Sequence, residues 1–273
     1  MLFENSIISI GGVGGSGTRV VAQIFNELGY HIGEDLNTAN DNLLFTLLFK
    51  YRSILTKDDE EFKTLYRIFK KILQGSLPLT PKELEITQFL ATHSRPPQHT
   101  EQFLKERLKK ISHKPKKENK FAFKEPNTHI VIERLFKLEK NLKYVYVYRN
   151  GLDMAYSKNQ NQLKLWGDIF LDEQNCKIDE RNSLKYWCIT HRRLLKLKET
   201  YPNRIYMLDF DKLCKYPQDS ITDMLEFFGL DDKKQIDRLT NLVKLPSSTG
   251  RYKKFSLEKF DKEDLKFINS IYL

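Results

Sequence analysis

The chain has 273 residues, 40% of them hydrophobic, and its 46 Lys and Arg against 36 Asp and Glu give a formal net charge of +10. That length and apolar content can bury a sizeable core as a single, rather large domain, and no stretch approaches the roughly 20 apolar residues of a membrane span. Cys176, Cys188 and Cys214 are scattered and cannot pair completely, which suits a reducing compartment; with the apolar run after Asn5 reading as a strand and not a leader, a soluble, cytoplasmic protein is expected.

The first element is a short apolar strand, Ser6-Ile7-Ile8-Ser9-Ile10. It runs into Gly11-Gly12-Val13-Gly14-Gly15-Ser16-Gly17-Thr18-Arg19, then into a helix marked by Val20, Val21, Ile24, Phe25 and Leu28. A glycine-rich turn between strand and helix is an anion cradle. Its amides can point at one phosphate, Ser16 and Thr18 add hydroxyl donors, Arg19 adds charge, and the helix start adds favourable potential. As Gly12-x4-Gly17 the turn has a Walker A frame, but Thr18 and Arg19 stand where Lys and Ser/Thr would grip triphosphate and magnesium, which argues against an ordinary NTPase. As Gly12-x-Gly14-x-x-Gly17 it matches a dinucleotide fingerprint, with Glu34 and Asp35 near the distance of the ribose-binding acid. An NAD(P)- or FAD-binding Rossmann oxidoreductase is therefore the alternative, although Tyr30-His31-Ile32 is all that could serve as its second strand.

Residues 45–118 read as a helical insert. Phe62, Leu65, Tyr66, Phe69, Ile72 and Leu73 form an apolar stripe at helical spacing. Thr80-Pro81-Lys82-Glu83 is a capping box opening a second helix through Ala91, and Phe103, Leu104, Arg107, Leu108 and Ile111 suggest a third. The lysine-rich tract from Lys105 to Lys120 contains Pro115 and few aromatics, so it reads as a solvated connector, and no nucleic-acid partner is expected. Next come a strand at 120–124 and Tyr144-Val145-Tyr146-Val147-Tyr148, which ends in Arg149-Asn150-Gly151 and continues as a helix carrying Ser157. Arg149, at the carboxyl end of a parallel strand, and Ser157 could hold a second phosphate. One ligand with two separated phosphates explains both turns.

Trp187, in a long helix near 182–199, is either a core residue or a platform for adenine. A strand at 204–210 follows, and Pro246-Ser247-Ser248-Thr249-Gly250-Arg251-Tyr252-Lys253-Lys254 reads as a flexible basic loop. The histidines show no ligand spacing with the cysteines, so no metal site is indicated. Strands separated by helical stretches, with Tyr30-His31-Ile32 as a short extra one, predict an α/β fold whose central parallel sheet of about five strands is flanked by helices.

These motifs together resemble the sulfotransferase family that uses 3'-phosphoadenosine 5'-phosphosulfate (PAPS). Gly15-Ser16-Gly17-Thr18-Arg19 is similar to the family's phosphosulfate loop. Arg149 with Ser157 eight residues on matches its 3'-phosphate pair. Ile205-Tyr206-Met207-Leu208-Asp209-Phe210-Asp211-Lys212-Leu213, then Leu225-Glu226-Phe227-Phe228-Gly229-Leu230, looks like its Tyr-Glu-Asp-Leu strand and the following helix. The resemblance implies a P-loop NTPase-like fold over residues 1–273. It implies PAPS as donor and PAP as product, with the cofactor on Gly14, Gly15, Ser16, Gly17, Thr18, Arg19, Arg149 and Ser157, and Gly250 and Arg251 closing over the 3'-phosphate. A hydroxyl or amine of a small molecule or glycan is the acceptor class, with the insert selecting it; the oligomeric state is left open.

The family's loop cation is Gly15 here. Arg19 is the local substitute, and Lys124 the other, since a strand followed by Pro126 would expose it at the same sheet edge. Sulfuryl transfer also needs a base for the acceptor proton, for which Glu34, Asp35 and His129 are the contenders. Glu34 occupies the region where tyrosylprotein sulfotransferases, which the chain resembles only locally, place a catalytic Glu.

Overall fold

Four strands, β1 (Ile7–Gly11), β2 (Phe121–Lys124), β3 (Lys143–Tyr148) and β4 (Ile205–Asp209), form one sheet in the order β2-β1-β3-β4. The computed structural model describes residues 6–76, 78–96, 98–110, 120–230 and 235–272. The chain divides into two compact units, Met1–Ile10 with Val21–Lys143, and Gly11–Val20 with Tyr144–Leu273.

In the first unit β1 (Ile7–Gly11) is buried along its length and runs parallel to the chain at Phe121–Lys124, pairing Ile7 with Phe121 and Ile10 with Lys124. Strands covered on both faces carry continuous apolar runs, which is why this one lacks alternation. Helix α1 (Thr18–Glu27) buries Val21, Ile24 and Phe25 on one stripe. The expected extra strand at Tyr30-His31-Ile32 is a single parallel bridge from His31 to Phe121. Three residues between Gly29 and Gly33, both with positive φ, cannot extend the pairing further.

Helix α2 (Leu43–Phe49) is capped by Asn42, whose side chain accepts the Phe45 N–H, and all seven of its residues are buried. The insert folds as α3 (Asp59–Leu73), α4 (Pro81–His93) and α5 (Glu101–Lys109), each opened by an Asp or Thr cap. At α4 the capping box closes both ways: Thr80 Oγ1 accepts the Glu83 N–H, and the Glu83 carboxylate accepts the Thr80 N–H. The stripe on α3 meets α2 and β2 (Phe121–Lys124) in an aromatic core. Phe123 stacks on Phe45 at 5.1 Å and meets the Phe69 edge at 4.9 Å, contacts worth about 0.5–1.5 kcal/mol each beyond burial. Helix α6 (Ile132–Leu138) completes the unit. Ile111 of the expected third helix, His113 and the centre of the lysine-rich tract lie outside the described residues.

The second unit pairs β3 (Lys143–Tyr148) parallel with the chain at Ile205–Asp209, Tyr144 opposite Ile205 and Tyr148 opposite Asp209. After β3 come α7 (Gly151–Ala155), α8 (Asn161–Phe170) and α9 (Glu180–Thr200); then β4 (Ile205–Asp209), α10 (Phe210–Lys215), α11 (Pro217–Phe228), α12 (Ile236–Thr240) and α13 (Lys262–Tyr272). Helix α9 packs on α7 through Trp187, which is fully buried, stacks on His191 at 4.8 Å and joins Leu152, Met154 and Ile268 in the core. Trp187 is therefore a core residue. Among the described residues no helix is long and apolar enough to cross a membrane.

Candidate functional site

The glycine-rich turn belongs to the second unit, together with Arg149, Ser157, Gly250 and Arg251. The turn closes on a Ser16 N–H to Val13 C=O bond of 3.1 Å, and the Gln162 amide donates to the Gly12 carbonyl at 3.0 Å, so it is held from within its own unit. Gly15 and Gly17 both take φ of +95°, a conformation a side chain resists. Ser16 is buried, and its Oγ has no hydrogen-bond partner among the described residues. A buried hydroxyl left unpaired is costly, and here it lies in a turn that leads straight into the first helical residue, Thr18. Thr18 is buried and Arg19 is exposed. An orphaned hydroxyl, a helix start and positive-φ glycines fit an anionic group.

Ser157 lies beside the glycine turn. A Cβ on Gly15 would lie 3.9 Å from Ser157 Oγ and 3.4 Å from Met154 Cε. Ser157 is not helical, as the sequence pattern predicts, but follows the end of α7. The reason is Gln160, whose side-chain amide donates to the carbonyls of Met154, Ala155 and Ser157 and so satisfies the groups a longer helix would have used. Arg149 is 3% exposed. Nη1 donates to Ser248 Oγ and Nη2 to Thr249 Oγ1, each at 3.1 Å. Two carboxylates flank it: Asp153 Oδ2 lies 3.5 Å from Nη2, and Asp211 Oδ1 lies 3.6 Å from Nε. The latter contact is beyond hydrogen-bond reach and leaves Nε without such a partner among the described residues. Asp211 in turn accepts the Asn150 N–H at 2.8 Å. Burial pushes the Asp211 carboxyl up, against the pull of Asn150 and Arg149. The Arg251 guanidinium is pushed down by burial and by neighbouring Arg149.

Sequence reasoning did not single out Asp153, Ser248 or Thr249, nor Asp211 as a partner of Arg149. The available signal was local: Asp153 stands four residues after Arg149, where a helical turn brings side chains together.

The other predicted residues are in the first unit. Lys124, expected to be exposed, is 2% exposed; its ammonium pairs with Asp41 and donates to the Ala39 carbonyl at 2.8 Å. Residues 35–42 fold back over the strand end, with Asn42 N–H bonded to the Lys124 carbonyl, and this covers the cation. Asp35 is buried against Arg107, Nε to Oδ2 at 2.6 Å, and against Lys110 at 3.1 Å. His129 is fully buried in a short 3-10 turn, Pro126–Ile130, whereas Glu34 is exposed. Among the described residues no cluster of His, Cys, Asp or Glu could hold a metal ion.

A glycine turn and an arginine-bearing turn, each following a parallel strand, meet within one unit of an α/β fold. The sulfotransferase domain model matches residues 7–269, and the chain belongs to that family. Among solved structures, the sulfotransferase domain from the curacin biosynthetic pathway superposes with a TM-score of 0.51 at 12% identity, covering 98% of this chain and 97% of that one. The sulfotransferase domain from the Synechococcus PCC 7002 olefin synthase gives 0.49 at 14% identity, over 98% and 94%. A retinol dehydratase crystallised with retinol and PAP gives 0.43 at 13% identity, over 97% and 81%. No curated protein matches the chain.

Proposed function

We propose that this sulfotransferase takes its sulfuryl group from PAPS, releases PAP, and delivers the group to a hydroxyl or amine of a small-molecule or carbohydrate acceptor. The observation that carries the reading is the approach of the two anion sites within one unit, Gly15 beside Ser157. Two phosphate cradles so close suit one ligand phosphorylated at both ends. The family match sets the dinucleotide alternative aside.

When bound, PAPS supplies a sulfuryl group on a phosphate leaving group. The amides of Gly14, Gly15 and Gly17, with Ser16 and Thr18, would hold its 5' side, and Arg149, Ser157, Gly250 and Arg251 its 3'-phosphate. By analogy with phosphoryl transfer, positioning and electrostatics dominate such a step. Arg19, exposed in the first turn of α1, would supply positive charge near the leaving phosphate. Lys124 is already neutralised by Asp41, which leaves Arg19 as the cation. Glu34 takes the acceptor proton: of the three contenders it is the exposed one, while Asp35 is tied to Arg107 and His129 is buried. The helical insert selects the acceptor and keeps out water, which would otherwise compete for the sulfuryl group. The free thiols of Cys176, Cys188 and Cys214 suit the cytoplasm.

The test is thermal unfolding with PAP, NAD and FAD. At about 100 times its dissociation constant PAP adds roughly 2.7 kcal/mol, a shift of several degrees, and NAD and FAD leave the midpoint unchanged. Stabilisation by a dinucleotide and not by PAP would reinstate the oxidoreductase. Labelled PAPS with a panel of acceptors then reads transfer, and Glu34→Gln is expected to keep PAP affinity while losing turnover.

A further inference from the structure

The segment 248–252 is strapped over Arg149 from several points. Its two hydroxyls take the guanidinium N–H groups, as described above. Arg251 turns back so that Nε donates to the Ser248 carbonyl at 3.1 Å and Nη1 to the Tyr156 carbonyl at 3.4 Å, next to Ser157. Two backbone N–H groups of the strap are held by one side chain, Asp153. Asp153 Oδ2 accepts the Gly250 N–H at 2.7 Å and Oδ1 accepts the Tyr252 N–H at 3.2 Å. That carboxylate is 1% exposed and also stands beside Arg149. One buried charge thus joins α7, the arginine and the strap.

We propose that Asp153 is the positioning residue for the 3'-phosphate end of the nucleotide. This rests on the sulfotransfer reading above. Asp153 acts through the strap, holding it in the register that sets Ser248, Thr249 and Arg251 against Arg149. Both links are charge-assisted hydrogen bonds, stronger than neutral ones, and their burial protects them from salt. Arg149 compensates the buried negative charge, so the latch is stable while it is paired. Asp153→Asn keeps the size of the side chain, removes its charge and replaces one acceptor by an NH2 that cannot accept from the strap.

A nucleotide without a 3'-phosphate makes no use of the strap, which separates positioning from general damage. The experiment measures the affinity of wild type and Asp153→Asn for PAP and for adenosine 5'-phosphate. The variant is expected to lose about tenfold for PAP, the scale of one hydrogen bond to a charged group, while adenosine 5'-phosphate binds within about twofold of wild type. A folded variant that keeps the wild-type preference for PAP overturns the inference and leaves the sulfotransfer reading standing. A wild type without any such preference overturns both. Should the variant not fold, amide hydrogen exchange in the wild type decides: PAP, and not adenosine 5'-phosphate, slows Gly250 and Tyr252 if the latch is right, and no slowing refutes it.

Discussion

Gly15 and Gly17 share one backbone conformation but differ in surroundings. At Gly15 the nearest atom to an added Cβ is Met154 Cε at 3.4 Å, an ordinary contact, so a side chain there is opposed by the backbone alone. At Gly17 an added Cβ would stand 2.1 Å from the Phe210 ring, so backbone and packing both object. Gly15→Ala is therefore expected to cost about 1 kcal/mol and Gly17→Ala about 2–4 kcal/mol. Urea denaturation midpoints check this; equal losses would refute the packing account. Arg149→Ala removes the guanidinium from between Asp153 and Asp211 and leaves both carboxylates uncompensated. PAP affinity should drop about a hundredfold, and calorimetric titration finding wild-type affinity would remove Arg149 from the phosphate site.

Helix α9 brings a titratable group into the aromatic core of the second unit. His191 lies against Trp187, Tyr146, Tyr148 and Phe267, and burial pushes its pKa from the ordinary 6.5 down to about 4. Because the folded value is depressed, the unfolded chain binds the proton first as pH falls. The stability held by neutral His191 is thus fully present above about pH 6.5 and is lost progressively toward pH 4, about 3 kcal/mol in all. Melting curves across that window should fall less steeply for His191→Phe than for wild type. Identical slopes would mean that other groups set the acid limit. Helix α4 offers a simpler check on local chemistry, since Thr80→Ala deletes a closed capping box and should cost about 1 kcal/mol.

At the scale of the whole molecule the net charge of +10 acts on encounter more than on fold. An anionic nucleotide is drawn by the summed field, so its association rate should fall severalfold as salt rises from about 0.02 to about 0.3 M. The dissociation rate should change less, because Arg149 is buried and poorly screened. Stopped-flow binding of PAP separates the two rates. A salt effect confined to dissociation would show that steering contributes nothing.

What could be read along the chain was whatever neighbouring residues settle among themselves. The apolar runs of β1 and β3, the stripe on α3, the capping box at Thr80 and the glycine turn before Thr18 all depend on spacings of a few residues, and local sterics and hydrogen bonds act over that range. The family was legible for the same reason. Tertiary structure decided which charges meet which partners. Lys124 meets Asp41 across 83 residues of chain, Asp35 meets Lys110 across 75, and Asp153 meets the Gly250 amide across 97. No periodicity encodes such partners, because they come together only once the sheet has ordered its strands and the loops have closed. The same closure buried His129 and Trp187 and left Glu34 and Arg19 exposed, because burial is set by packing between distant segments and not by local spacing.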